Sequence, residues 1–274
     1  MSRRTALVTG ASAGLGQVFA RELARDGMNL VLSARRSERL DGLKRDLEAD
    51  RGINVLCVPA DLADPAAPTR IYEAVTGQGI EVDMLVNNAG YGVAGHFLAS
   101  PWEVHQRFME VMVGAVLRMT HLFLPGMVKR GHGRIINVAS LAALVPSPAG
   151  HTLYGAAKAF LVKMSEALSL EMAGKGVHVT VTCPGFTHTE FHDVLGNRDL
   201  VSRLPSYMWM EADEVVRGAI DAVTRGQLLH VPGAFNQATA VAAKALPTRA
   251  LRWLAARHGA RIRKQTPSAP SSRS

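Results

Sequence analysis

Seven short runs of apolar, largely β-branched residues recur along the chain, and longer stretches with helical periodicity separate most of them. The runs fall at 5–9 (TALVT), 29–34 (NLVLSA), 54–60 (NVLCVPA), 82–88 (VDMLVNN), 133–140 (GRIINVAS), 177–183 (VHVTVTC) and 227–231 (QLLHV). The helical stretches lie at about 15–26, 37–51, 65–77, 101–130, 152–174 and 211–225. A strand with one wet face alternates apolar and polar residues, whereas a strand covered on both faces is apolar throughout. Runs of the second kind, alternating with helices, predict an α/β domain built on a doubly wound parallel sheet of about seven strands. Gly27 and Gly176 follow helical stretches, and Pro65 and Pro101 open them, as helix ends require. The 274 residues fit one such domain, at 1–243. Within it, about 186–212 reads as a lid over a substrate. A helical extension is expected at 244–264, and the low apolar content of 265–274 (QTPSAPSSRS) predicts a disordered tail.

Charge is distributed unevenly. The formal net charge is +8, yet eight of the 31 basic side chains and none of the 23 acidic ones lie from Lys244 onward. The first 243 residues therefore carry no net charge, which disfavours a nucleic-acid-reading body. An aromatic content of 5% argues the same way against base stacking. Cys57 and Cys183 both sit in apolar strand-like runs, at a spacing that fits no metal site, and are expected to be buried and reduced. The chain opens MSRRTALVTG with a strand almost at once and no apolar signal core, so a soluble, cytoplasmic protein is expected.

After the first run comes Thr9-Gly10-Ala11-Ser12-Ala13-Gly14-Leu15-Gly16, then a helix. Glycines there let the backbone turn sharply and approach a phosphate, while the helix start offers unpaired N–H groups and a positive dipole end. The position of this cradle, between the first strand and first helix, predicts a Rossmann-like fold and a dinucleotide ligand, the alternative being glycines that serve only a tight βα turn. At the end of the second run, Leu32-Ser33-Ala34-Arg35-Arg36 contains no acid before Glu38. A carboxylate there would accept from a ribose 2′-hydroxyl, whereas a guanidinium grips a 2′-phosphate. This favours NADP over NAD, with Arg35 as the main contact and Arg36 supporting it. The alternative is two solvated arginines at a helix start.

TGASAGLG, Asp61-Leu62, Asn87-Asn88-Ala89-Gly90, Ser140, Tyr154-Gly155-Ala156-Ala157-Lys158 and Pro184-Gly185 together resemble, in order and spacing, the short-chain dehydrogenase/reductase family. The resemblance covers about 4–232. It implies an oxidoreductase moving a hydride between a nicotinamide and a ketone or secondary alcohol, with Ser140, Tyr154 and Lys158 as catalytic residues. It also implies that Gly10, Ser12, Ala13, Gly14, Leu15 and Gly16 hold the cofactor's phosphates. Asp61 and Leu62 would lie by the adenine, Asn88, Ala89 and Gly90 by the adenosine ribose, and Lys158 on the nicotinamide ribose. Pro184, Gly185, Phe186, Thr187 and Thr189 would hold the carboxamide, while Asn87 would brace the sheet. The residues make chemical sense of this. Tyr154 and Lys158 are four apart on a helix and share a face, and an ammonium beside a phenol would pull its pKa down from about 10. A fixed Ser140 hydroxyl would stabilise charge growing on the substrate oxygen.

One position departs from the family pattern. An Asn usual in the helix before the catalytic strand is replaced by Met112. Activity is still expected, full or reduced, because part of that Asn's role falls to a backbone carbonyl, but a cofactor-binding regulatory protein with weak or no turnover is the alternative reading. Tyr91, Val93, Leu141, Leu144 and Val145, with Phe186, Phe191, Val194, Met208, Trp209 and Met210, make the expected substrate mouth apolar. That suits a lipophilic carbonyl or alcohol substrate, such as a ketoacyl or steroid-like one, or else a lid packing on itself or a second subunit. His188 and His192 lack further ligands for a metal, and none is expected. The resemblance implies a homo-oligomer, a dimer or tetramer. In 244–264, Leu246, Leu251, Trp253, Leu254 and Ile262 alternate with basic residues. Packing of this helix on its own domain or a neighbour is favoured, with peripheral contact to an anionic membrane as the alternative.

Overall fold

The computed structural model describes residues 3–93, 95–189, 205–246 and 249. Its main sheet consists of β1 (Thr5–Thr9), β2 (Asn29–Ser33), β3 (Val55–Cys57), β4 (Met84–Asn87), β5 (Gly133–Val138), β6 (Val177–Thr182) and a last short strand, Leu229–His230. All neighbours are parallel, in the order β3-β2-β1-β4-β5-β6 and then Leu229–His230. The register pairs Thr9 with Ser33, Val8 with Val86 and Asn87 with Asn137, which brings the carboxyl ends of four strands level. Strand order reverses between β1 and β4, and ligands of open α/β sheets bind at such a crevice.

Alternate residues of each strand enter different cores. Ala6 and Val8, Leu30 and Leu32, Val86 and Ile136 meet one helical layer, with Phe19 and Leu23 of α1 (Gly14–Arg25), Leu40 and Leu43 of α2 (Ser37–Arg51), and Val216 and Ile220 of Ala212–Thr224. Leu7, Val31, Leu85 and Ile135 meet the other layer. There they touch Ile71 and Val75 of α3 (Ala67–Thr76), and Met119 and Phe123 of the long helix that precedes β5. Burial on both faces is why these strands read as continuous apolar runs.

The long helix, expected at 101–130, is two α-helices, α4 (Trp102–Met109) and α5 (Ala115–Lys129), joined by a single π turn at Glu110–Gly114. By length and composition Trp102–Lys129 could cross a membrane, but it packs as a core helix of the sheet. After β5 follow α6 (Thr152–Glu171) and β6, then β7 (Phe186–Thr187), which pairs in parallel with β8 (Trp209–Met210). The chain ends its described course with α7 (Ala212–Thr224), β9 (Leu229–His230) and α8 (Ala234–Ala245). The expected helix at 244–264 contributes its first two residues to α8, which stops at Leu246 in extended backbone. Most of 244–264, all of 265–274, and Phe191, His192 and Val194 lie outside the described residues. Cys57 is half-buried and Cys183 fully buried, both as free thiols.

Candidate active site

The glycine turn after β1 is shaped by close approach. Gly10 has φ +68°, and a Cβ there would lie 2.8 Å from the Ala89 Cα. A Cβ on Gly16 would overlap the Gly10 carbonyl oxygen. Thr9 locks the turn to β4: its hydroxyl donates to the Val86 carbonyl (3.2 Å) and accepts from the backbone N–H of Asn88 (3.0 Å) and Ala89 (3.1 Å). Asn88, which the resemblance puts beside the adenosine ribose, spends its side-chain amide on the Thr9 carbonyl (2.9 Å), so it braces the turn. At the start of α1, Ala13 occupies the N-cap and offers no side-chain acceptor, which leaves the helix's first N–H groups for an anion. A cradle closed to side chains and lined by uncapped N–H donors fits a dinucleotide pyrophosphate.

Around it stand the adenosine-side residues. Arg36 directs Nε and Nη2 at the Ser12 hydroxyl, both at 3.3 Å, so the second arginine of the pair reaches the cradle. Arg35 is exposed beside it. Asp61 accepts from the Ala63 N–H (3.1 Å) and pairs with Arg107 of α4 (3.0 Å), a partner that the sequence reading missed. Leu62 turns its side chain into the core with Ala67 and Ile71.

Two further segments complete the nicotinamide end. Leu141 N–H donates to the Pro184 carbonyl (2.8 Å), tying the loop after β5 to that after β6. Thr187 hydroxyl donates to the Gly185 carbonyl (3.3 Å), and a Cβ on Gly14 would meet the Thr189 side chain at 3.5 Å. The 184–189 segment thus arches over the cradle. Asn236 of α8, also missed, is 3% exposed, donates to the Pro232 carbonyl (2.8 Å) and presses on Gly185. Its signal in the sequence is slight, a lone Asn in an alanine-rich run.

Ser140, Tyr154 and Lys158 converge. Ser140 ends the β5 loop and caps the turn Leu141–Ala143 by accepting from the Ala142 N–H (3.2 Å). Tyr154 and Lys158 sit one turn apart on α6, with the ammonium 5.9 Å from the Tyr154 ring centre. Lys158 Nζ donates to the Val138 carbonyl (2.6 Å) and is 5% exposed. The expected lowering of the Tyr154 pKa by Lys158 is not what this geometry produces. Burial pushes the phenol above its usual 10, opposed only in part by its hydrogen bond with Ser140. Burial also pushes Lys158 down to about 8. His151, at the start of α6, meets the Tyr154 ring edge-on with centres 6.2 Å apart.

Met112, at the middle of the π turn, is 1% exposed and packs with Phe108, Ala157 and Tyr154. Its sulfur would lie 3.0 Å from a Cβ on Gly90, a position itself 3.7 Å from Lys158 Nζ. A thioether thus fills the space on that side of the lysine. At the mouth, Phe186 and Trp209 are brought together by the β7–β8 pairing, ring centres 5.6 Å apart, and His188 stacks on Trp209 at 4.7 Å. Tyr91 meets Phe108 edge-on at 5.5 Å. Among the described residues no cluster of His, Cys, Asp or Glu is arranged to hold a metal ion.

A dinucleotide cradle at the switch point of a parallel sheet, with a half-buried Ser140 and Tyr154 beside a buried Lys158, defines a nicotinamide-dependent oxidoreductase. Comparison with known proteins agrees: residues 4–199 match the family model for short chain dehydrogenase. Mouse 17-beta-hydroxysteroid dehydrogenase type 3 is 35% identical over 81% of this chain and 69% of its own length. The very-long-chain 3-oxoacyl-CoA reductase of Anas platyrhynchos is 32% identical over 82% and 72%. Among solved structures, a short-chain dehydrogenase from Sphingobium yanoikuyae in complex with NADPH superposes with a TM-score of 0.77. It is 31% identical and the match covers 99% of this chain and 98% of that one. The chain belongs to the short-chain dehydrogenase family, oxidoreductases that act on CH–OH groups with a nicotinamide cofactor.

Proposed function

We propose that this protein is an NADP(H)-dependent reductase of lipophilic ketones, acting reversibly on the corresponding secondary alcohols. The observation that carries the reading is the convergence of Ser140, Tyr154 and Lys158, with Tyr154 hydrogen-bonded to Ser140 and one turn from Lys158 on α6. The half-buried Tyr154 phenol, its pKa raised, is protonated at neutral pH, and so can give a proton to a carbonyl oxygen that is gaining charge. When bound, the nicotinamide supplies the hydride. Ser140 shares the site with Tyr154 and offers a second donor to the same oxygen. Lys158, with a pKa of about 8, remains largely a cation at neutral pH, and the Val138 carbonyl fixes its direction.

Support for NADP is the Arg35-Arg36 pair with no acid before Glu38, Arg36 lying against the cradle serine, and a relative that was solved with NADPH. Support for a lipophilic substrate is the apolar mouth around Tyr91, Phe186 and Trp209 together with relatives named for steroid and 3-oxoacyl substrates. A second reading, a cofactor-binding protein of low turnover, draws on Met112 beside Lys158.

The test is a panel of ketones, weighted toward steroid-like and long-chain compounds, with oxidation of NADPH and NADH followed by absorbance. The proposal expects turnover on lipophilic members, with kcat/KM at least about tenfold higher for NADPH than NADH, the order a phosphate–guanidinium contact supports. Preference for NADH removes the NADP assignment. Tight NADPH binding without oxidation on any ketone favours the second reading.

A further inference from the structure

At the end of the sheet opposite the cradle, where the central strands begin, lies a cavity of about 310 Å³ that the oxidoreductase reading does not use. Its apolar wall comes from Leu23 of α1, Met28 before β2, Met84 of β4 and Ile220 of α7. Its basic wall comes from Arg4, just before β1, and Arg134, in the second position of β5.

Neither guanidinium group forms an ion pair among the described residues. Arg134 is held in place by donating from Nη1 to the carbonyls of Gly133 (2.7 Å) and Gly176 (3.2 Å), neither of which carries a formal charge. Arg4 makes no side-chain hydrogen bond or ion pair among the described residues. Two carboxylates also line the space; one keeps its charge there while bonded to a neutral donor, and the other is ion-paired. Asp83 accepts from the Thr5 N–H (2.9 Å), and Asp26 pairs with Arg217 (3.1 Å), which also pairs with Glu22. The repulsion is felt locally. Arg4 joins burial in holding Arg134 below its ordinary pKa, and Arg4 and Arg134 both add to the burial that holds His132 below 6.5. His132 is therefore uncharged at neutral pH and faces the cavity as a hydrogen-bonding group.

We infer that this cavity is a second ligand site, for a small organic carboxylate whose charged end sits between Arg4 and Arg134 and whose hydrocarbon end rests on Met28 and Ile220. A guanidinium presents paired N–H groups in the geometry of a carboxylate, and an apolar pocket with a few placed polar groups is the usual form of a small-molecule site. The volume, at the low end for such sites, limits the ligand to a short chain or a single ring. The site lies at the end of the sheet away from Tyr154, so occupancy does not require an open substrate mouth.

The experiment is calorimetric titration of the full-length protein, saturated with NADPH, with hexanoate, and with hexanol as the uncharged control. The expected result is saturable hexanoate binding with a stoichiometry near one and no comparable binding of hexanol. Arg4→Gln should weaken hexanoate at least about tenfold, the equivalent of one charge-assisted contact, while NADPH affinity stays unchanged. Arg4 is exposed and makes no internal bond, so this variant leaves the fold intact; Arg134→Gln, which also loses two backbone contacts, serves as a second check. Hexanoate binding equal in Arg4→Gln and wild type places the ligand elsewhere, for instance in the substrate mouth, and overturns the inference. So does absence of binding, or hexanol binding as tightly as hexanoate. None of these results bears on ketone turnover, so the two proposals fail separately.

Discussion

Tyr154 and Lys158 are both withdrawn from water on one face of α6, and each is driven toward its neutral form. Desolvation penalises a phenolate and an ammonium alike, and at 5.9 Å from the ring the lysine is turned to the Val138 carbonyl. This has a consequence for stability. An unfolded Lys158 stays protonated up to about 10.5, whereas the folded one gives up its proton near 8. Between those values the unfolded chain binds more protons. The lysine's contribution is therefore fully present above 10.5 and is lost as pH falls through about 8. In cofactor-free protein, the unfolding free energy of wild type relative to Lys158→Met should rise by roughly 3 kcal/mol from pH 7 to 10.5. Denaturant titrations across that range check it, and a flat difference contradicts it. At Met112, replacement by Asn restores a polar group beside Lys158, and kcat should rise several-fold with KM little changed. Arg35→Ala should weaken NADPH at least about tenfold and NADH hardly at all, read by fluorescence titration. Residue identities at the reacting centre were legible because Ser140, Tyr154 and Lys158 fall in a specific pattern. Their electrostatics were not, since burial comes from side chains such as Met112 and Phe108 that converge only in the fold.

The elements that carry the site are positioned by contacts that leave no room for side chains. Gly16 abuts the Gly10 carbonyl, so α1 starts against the β1 turn only while position 16 has no Cβ. Gly16→Ala should cost about 1–3 kcal/mol of stability, the range for overpacking, and abolish measurable cofactor binding. Thermal unfolding with and without NADPH reads both effects, and an unchanged ligand-induced rise in Tm contradicts the assignment. The seven strands of the main sheet, α1, α2, α6 and α7 could be placed from the sequence because apolar runs and helical stripes differ in period, whereas β7 and β8, two residues each within the expected lid, could not. The π turn at Glu110–Gly114 escaped notice, since one wide turn inside 28 helical residues hardly shifts the stripe of Val111, Ala115, Met119 and Phe123. Helix α8 was missed for a different reason. It is rich in alanine, and only Asn236 and Ala240 of its residues are buried, so it has no stripe of large apolar residues to announce it.

As a whole, the molecule is a sheet closed by helices on both faces whose outer surfaces are not uniformly polar. Trp102 of α4 (67% exposed), Leu117 of α5, and Phe160 and Leu170 of α6 (Leu170 79% exposed) leave apolar side chains on the helical layer that carries Tyr154. Scattered exposure is ordinary, but apolar residues on neighbouring helices are what a subunit interface covers. Light scattering coupled to size exclusion should give a dimer or tetramer, and Leu117→Glu with Phe160→Glu should give monomer; a monomeric wild type contradicts this reading. The doubly wound topology was visible at this scale because seven nearly all-apolar runs alternating with helices admit few other arrangements, whereas the cavity between Arg4 and Arg134 was not. Those residues are 130 positions apart in sequence and meet only because β1 and β5 both flank β4. On the proposed function, the phenol of Tyr154 delivers the proton in an NADPH-dependent ketone reduction. The direct measurement is steady-state turnover and NADPH binding of Tyr154→Phe beside wild type, on the best ketone from the panel. Tyr154→Phe should lower kcat about 10²–10⁴-fold, the usual share of a general acid, with NADPH affinity within about twofold. Turnover by Tyr154→Phe equal to that of wild type would contradict it.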